Sequence, residues 1–323
     1  MKIRWLAFVA AGFLTTSFVW GFFGHRKIAY LAVFTLPSEM VGFYKKNIHD
    51  ITEMSVNPDR RRYAVSEEAT RHYIDTEDYG DSALYKLPRY WNKAIETIPE
   101  DTLNARGIVP WHISKMYFIL RDAMMVRDPQ KIIQYSAELS HYIADAQVPL
   151  HTTRNYDGQM TGQKGIHACW ESRLPELFFN DYDFFVGKAD YIQNIQLAAW
   201  AAVITANNAL DSVLQMEHDV SVEMGEKKYA FESKGSQTVK VYSVEFSKVY
   251  HERMAGMVER QMRASVKMTG DVWYTAWVDA GQPDLTELIN YKPTEQEISK
   301  RKEELKQWKE LQLRSREHET ENN

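Results

Sequence analysis

His141-Tyr142-Ile143-Ala144-Asp145-Ala146-Gln147-Val148-Pro149-Leu150-His151 is the stretch from which the rest of the chain is read. His141 and Asp145 stand four apart, so on a helix they share one face, about a turn from each other. Around them lie Leu139, Tyr142, Ile143, Ala144 and Val148, where an uncompensated charge is costly. Pro149 lacks a backbone donor and stops or kinks the helix before His151. A second pair at the same spacing, His167 and Glu171, follows a segment holding Gly158, Gly162 and Gly165. Imidazole and carboxylate together suit zinc, and the spacing lets two side chains converge on one ion. Spacing alone is a weak signal. With 10 histidines and 44 acidic residues in 323, such pairs arise by chance, and exposed ion pairs are the ordinary reading. The apolar company of His141 and Asp145 separates that pair from chance, because a bound cation offsets the burial of its charge.

Working outward, helical character dominates after residue 25. Ile113 to Val126 repeats apolar residues at three and four and ends at Asp128-Pro129, and Pro129 to Val148 forms the next such run. Asn155 to Gly165 has loop composition. Ile192 to Met216 reads as a long helix, and helical spacing resumes from Phe246 to Met268. Between them, Lys228 to Val244 reads as a β-hairpin turning at Lys234-Gly235-Ser236. From Glu295 to Asn323 the chain is a charged run, a solvated helix or frayed tail. The expected fold is therefore all-α, one helical domain over residues 20–292 with a small hairpin excursion, followed by a charged tail over 293–323.

Residues 1–19 stand apart. Lys2 and Arg4 precede an uncharged segment from Trp5 to Val19, the arrangement of a secretory signal peptide. That segment is shorter than the ~20 residues of a membrane span. An uncleaved anchor is the competing reading, and no later stretch reads as a span. The expectation is a secreted or periplasmic protein with no transmembrane segment in its mature chain, and a monomer. Cys169 is the one cysteine, so no disulfide forms within the chain. Hydrophobic residues at 44% supply ample core, and a formal charge of −5 argues against a protein that coats nucleic acid with a broad basic surface.

Three more segments stand upstream of the two pairs, in order: Trp20-Gly21-Phe22-Phe23-Gly24-His25, Asn57-Pro58-Asp59-Arg60-Arg61-Arg62 and Arg71-His72-Tyr73-Ile74-Asp75. Together with the pairs they resemble the zinc-dependent phospholipase C superfamily, which includes the single-strand-specific zinc nucleases of fungi and plants. The resemblance runs from Trp20 to about Glu171 and, more loosely, to the helices near residue 280. It implies an all-α fold with three zinc ions at the bottom of a cleft. Asp59, His72, His141 and Asp145 would hold the first ion, and His151, His167 and Glu171 the second. Trp20, through its α-amine and carbonyl, would hold the third with His25, while Asp145 bridges to the first. Signal cleavage would then have to expose Trp20, although Val19 is larger than a cleavage site prefers. Asn57 also lies near the position of the first carboxylate, and Asp59 is preferred because it alone is anionic.

The resemblance implies hydrolysis of phosphodiesters by zinc-activated hydroxide, since paired ions acidify a shared water and neutralise phosphate. Asp145 would be central to that chemistry. Arg62 matches the superfamily's phosphate-binding arginine, and Asp75 a carboxylate beside the ligands. A solvated basic turn is the competing reading of Arg60 to Arg62. On substrate the residues divide. Glu171 and the short loop from His151 to His167 fit the phospholipases, while the Trp20-to-His25 spacing is nuclease-like, leaving a lean toward phospholipid headgroups over single-stranded nucleic acid. A zinc-binding interaction protein without turnover is the reading from another class; the His and carboxylate donor set, poor in cysteine, favours open catalytic sites over closed structural ones. His112, Tyr73 and Phe22 read as core or cleft-lining residues.

Overall fold

The computed structural model describes residues 21–80, 82–234 and 237–321. Trp20 and the leader assigned to residues 1–19 lie outside the described residues. The fold is all-α apart from one hairpin. Helix α1 (Phe22–Ala32) packs on α2 (Ile48–Met54), and the short α3 (Asn57–Arg61) follows directly. After several short helical turns, α4 (Val109–Met125) and α5 (Pro129–Asp145) form a helical hairpin. Their link is tight because Arg127 takes a positive φ of 54° and the Asp128 carboxylate caps α5 through the Lys131 amide. Helix α5 starts on Pro129, where a missing N–H costs nothing. It ends at Asp145, three residues before the expected Val148, and Pro149 opens a 3₁₀ turn from Pro149 to Thr152.

The long α6 (Ile195–Met224) leads into strands β1 (Tyr229–Lys234) and β2 (Gln237–Tyr242), antiparallel with Tyr229 opposite Tyr242. Among the described residues, Ile195–Lys228 is the one stretch long and apolar enough to cross a membrane by length and composition, which corrects the reading that no later stretch qualifies. It packs on α4 and on the turn at Pro149–Thr152, and it carries the fully buried Glu217. That carboxylate accepts from Gln163 Nε2 (2.6 Å), Tyr242 Oη (2.9 Å) and Ser221 Oγ (3.0 Å), and pairs with Lys228 Nζ (2.8 Å). One buried anion thus ties α6, the hairpin and the glycine-rich loop together.

The helical run read from Phe246 to Met268 is two helices, α7 (Val244–Arg253) and α8 (Met257–Asp279). Ala255 and Gly256 both take positive φ (48° and 78°) and turn the chain between them, a conformation natural to glycine and strained for alanine. Helix α9 (Glu295–Glu321) forms the charged run, tethered by Arg301 to Asp50 at 3.6 Å. The core falls into two apolar clusters, and α5 joins them: Tyr142 and Ile143 belong to the larger, Ala144 to the smaller. His141 and Asp145 sit at this seam.

Candidate metal centre

His25, His72, His141, Asp145, His151, His167 and Glu171 are all buried, and Asp59 keeps a side chain 10% exposed. They come from six separated places. Helix α1 turns His25 inward, α3 supplies Asp59, the turn after Ala69–Arg71 supplies His72, and α5 presents His141 and Asp145 on one face. The 3₁₀ turn supplies His151. His167 lies in a short helical stretch from Ile166 to Ala168, which passes into a π-turn over Cys169–Arg173 that carries Glu171. The potential ligand atoms fall into three buried groups: Asp59 with His72 and His141; His151 with His167 and Glu171; and His25 with His141 and Asp145.

In the first group, His141 Nε2 lies 3.1 Å from His72 Nδ1, 3.3 Å from Asp145 Oδ2 and 3.6 Å from Asp59 Oδ1. His72 Nδ1 is 2.8 Å from Asp145 Oδ2 and 3.9 Å from Asp59 Oδ1. In the second, His151 Nε2 is 3.1 Å from His167 Nε2 and 3.0 Å from Glu171 Oε1, while His167 Nε2 is 2.8 Å from Glu171 Oε2. Zinc bonds of ~2.1 Å in a tetrahedron set their ligand atoms ~3.4 Å apart. These separations bracket that edge. The tautomers agree as well. His141 Nδ1 donates to Ser55 O (2.8 Å) and His151 Nδ1 donates to His72 O (2.7 Å), so each Nε2 lone pair faces into the cluster. Asp59 Oδ1 and Asp145 Oδ1 are buried without a hydrogen-bond partner. Donor types, distances and orphaned oxygens all fit a zinc site.

Asp145 faces two groups at once. Its Oδ2 belongs to the first, and its Oδ1 lies 3.5 Å from His25 Nε2. The His25 ring stacks on His141 at 3.8 Å. Asp59 is the carboxylate that approaches His72 and His141, whereas Asn57 Oδ1 accepts from Arg60 Nη1 at 3.0 Å.

The electrostatics of the centre fit a site for cations. Burial pushes Asp59 up to about 7, with Asp145 adding to the rise and His72 opposing it. Burial drives His25 down to about 4 and His141 well below the ordinary histidine range. Burial also opposes protonation of His151, but Glu171 and Asp145 overcome it and lift the ring to about 9. Neutral and cationic imidazoles thus crowd the same carboxylates, where bound cations would supply the charge outright.

Tyr73 holds a raised pKa from burial, with Asp75 and Tyr156 adding to the rise and Arg62 opposing it, so all three lie within electrostatic reach of Tyr73. Asp75 is pushed up to about 7 by burial, helped by Glu77 and Asp78. The half-buried Arg62 acts on Asp59, and its guanidinium has no hydrogen bond or ion pair among the described residues. Tyr156 is 48% exposed, with its ring 5.8 Å from that of His167.

Sequence reasoning missed Glu68. It is fully buried, accepts from Arg61 Nε (2.7 Å), Arg71 Nη1 (2.8 Å) and Tyr142 Oη, and faces His72 Nε2 at 3.6 Å. The four-residue spacing from Glu68 to His72 was the available signal. Arg61 also pairs with Glu138 Oε1 at 2.8 Å, so this arginine corrects the reading of Arg60 to Arg62 as a solvated turn. His112 packs its ring 4.4 Å from Tyr142, a core position as expected. Buried Cys169 also packs; burial raises its thiol pKa.

An all-α chain gathering histidines and carboxylates in a buried, sulfur-free cluster has the makings of a metal-dependent hydrolase. The chain belongs to the S1/P1 nuclease family, whose model, S1/P1 Nuclease, matches residues 20–268. The match agrees with the superfamily that its motifs resemble. No curated protein matches the chain. Among solved structures it is similar to the alpha-toxin of Clostridium perfringens from avian strain SWCP, with 17% identity and a TM-score of 0.47, covering 81% of this chain and 65% of that one. It is also similar to the alpha toxin of Clostridium absonum, with 13% identity and a TM-score of 0.43, covering 77% and 63%. The chain thus spans just under two thirds of each toxin's length.

Proposed function

We propose that this chain is an exported zinc-dependent hydrolase of single-stranded nucleic acid. The spacing of the ligand atoms in the two histidine–carboxylate groups supports the chemistry: each is sized for a zinc ion. The family match favours nucleic acid, and Tyr73, within electrostatic reach of Arg62 and Tyr156, agrees with it, since aromatic faces and a cation suit a stacked base and its phosphate. This moves the substrate from the phospholipid headgroup, which Glu171 and the short loop favour, to a nucleotide chain.

Asp59, His72, His141 and Asp145 would hold one zinc ion, and His151, His167 and Glu171 a second. Trp20 and His25 would hold a third, shared through Asp145. Bound zinc supplies a Lewis acid for the phosphate and acidifies water. The protein does the rest. Arg62 grips the non-bridging phosphate oxygens with its uncommitted guanidinium. Asp75, within electrostatic reach of His151, would support the ligands from beside them. Ser55 O and His72 O hold the imidazoles of His141 and His151 in the ligating tautomer. Export and cleavage before Trp20 complete the reading.

The test is turnover by the purified, zinc-loaded mature chain on a single-stranded DNA oligonucleotide and on phosphatidylcholine. Cleavage of the oligonucleotide with phosphatidylcholine untouched is expected. The opposite preference overturns the substrate. Zinc bound with neither substrate cleaved points to the non-catalytic zinc protein.

A further inference from the structure

On the side of α1 away from His25, the residues Phe23, Arg26, Lys27 and Tyr30 line a cavity of about 510 Å³, bounded across from them by Ser172 and Glu176. Two metal-facing residues each pass their next neighbour to this cavity: His25 is followed by Arg26, and Glu171 by Ser172. The two walls are joined where the Gly21 amide donates to Ser172 Oγ at 2.9 Å. The cavity therefore backs directly on the metal centre.

Its chemistry is mixed in a specific way. Lys27 Nζ lies 4.8 Å from the Phe179 ring centre and 5.4 Å from that of Phe23, and no carboxylate pairs with it among the described residues. Rings hold the ammonium in place without neutralising it. Arg26, by contrast, is paired with Glu53 at 2.9 Å. Tyr30, one turn beyond Lys27, is 43% exposed and offers a ring at the rim. Glu176 supplies an acceptor opposite. A flat ring, an uncommitted cation and an acceptor around one cavity match a nucleotide: a base to stack, a phosphate to neutralise, and an N–H or sugar hydroxyl to bond.

We propose that this cavity is a second nucleotide-binding site, holding a nucleotide of the bound strand apart from the cleaved phosphate. Lys27 takes its phosphate and Tyr30 stacks its base. The proposal rests on the nucleic-acid reading of the metal centre. A choline headgroup could use the same ring and acceptor, so the choice of a nucleotide follows from the family match.

Lys27→Ala and Tyr30→Ala alter partly exposed side chains outside the metal centre, so both variants should fold and bind zinc as the parent does. Steady-state kinetics on a single-stranded DNA oligonucleotide are compared with those on bis(p-nitrophenyl) phosphate, which is too small to reach the cavity. Each variant should raise KM for the oligonucleotide about tenfold, with kcat and the rate on the small diester unchanged. An unchanged KM, or equal losses on both substrates, overturns the proposal. If the parent cleaves the oligonucleotide while the variants match it, the cavity assignment alone fails. If the parent cleaves phosphatidylcholine vesicles and leaves the oligonucleotide intact, the nucleic-acid reading fails and takes the proposal with it.

Discussion

Asp145→Asn should cost far more activity than Glu171→Asp. Asp145 is fully buried, with Oδ2 at 2.8 Å from His72 Nδ1 and 3.3 Å from His141 Nε2, and Oδ1 at 3.5 Å from His25 Nε2. Asparagine keeps the shape but turns one of these oxygens into an amide nitrogen that cannot ligate. It also removes the negative charge shared by two groups. Losing ~3–4 kcal/mol of transition-state stabilisation lowers turnover ~10²–10³-fold at ~1.4 kcal/mol per factor of ten. Glu171→Asp retains the charge and shortens the reach by one methylene, from a carboxylate now 3.0 Å from His151 Nε2 and 2.8 Å from His167 Nε2. The π-turn can shift to follow, and a loss of about tenfold is expected, the order of an ill-positioned ligand. Zinc content by elemental analysis and turnover on single-stranded DNA are measured together, with melting of the chelated forms as the folding control. Equal zinc and equal turnover in the two variants refute the shared role of Asp145.

The parent should carry close to three zinc ions per chain after dialysis against zinc-free buffer; one ion or none refutes the trinuclear reading. Chelation should lower its melting temperature, because ligand binding to the folded state alone stabilises it. One alanine added before Trp20 should leave the chain folded but remove the third ion and most activity, since an amide nitrogen replaces the amine; unchanged zinc and rate would leave two catalytic ions. Glu217→Ala should destabilise the zinc-free protein by ~3–5 kcal/mol in denaturant unfolding, because Lys228 loses its buried partner. A loss below ~1 kcal/mol would show that this carboxylate does not tie the loop and hairpin together.

The helical face shared by His141 and Asp145 was legible because a period of 3.6 fixes which side chains meet. The break before His151 was legible because proline has no N–H. The hairpin showed in its alternating residues, and the choice of Asp59 over Asn57 in charge alone. What stayed hidden has physical reasons. The network of Glu68, Arg61, Arg71 and Tyr142 joins residues far apart in the chain, and only the Glu68-to-His72 spacing left a local trace. The split between α7 and α8 hangs on Ala255 taking a positive φ, which alanine does not advertise. The π-turn at Cys169–Arg173 was equally silent. Leu174 N donates to Cys169 O five residues back, and Pro175 has no N–H to give Glu171 O, so the helix widens where the ligand sits.

Why the chain tolerates so much buried charge follows from where the ligands originate. Six separated segments converge on one seam between two apolar clusters, so no single helix could hold the site, and the fold must close before the ligands meet. In the absence of cations that closure is costly where burial drives Asp59 up and His25 and His141 down, while carboxylate neighbours outweigh burial and raise His72 and His151. The shifts of Asp59, His25 and His141 record free energy that folding spends and that a bound cation returns, because cations favour ionised carboxylates and neutral imidazoles together. The backbone carbonyls of Ser55 and His72 fix two rings before any metal arrives, and Glu68 steadies a third. Binding then needs little rearrangement. Zinc binding is therefore linked to folding, and a variant that weakens the ions' hold on these ligands also lowers the stability of the zinc-loaded protein.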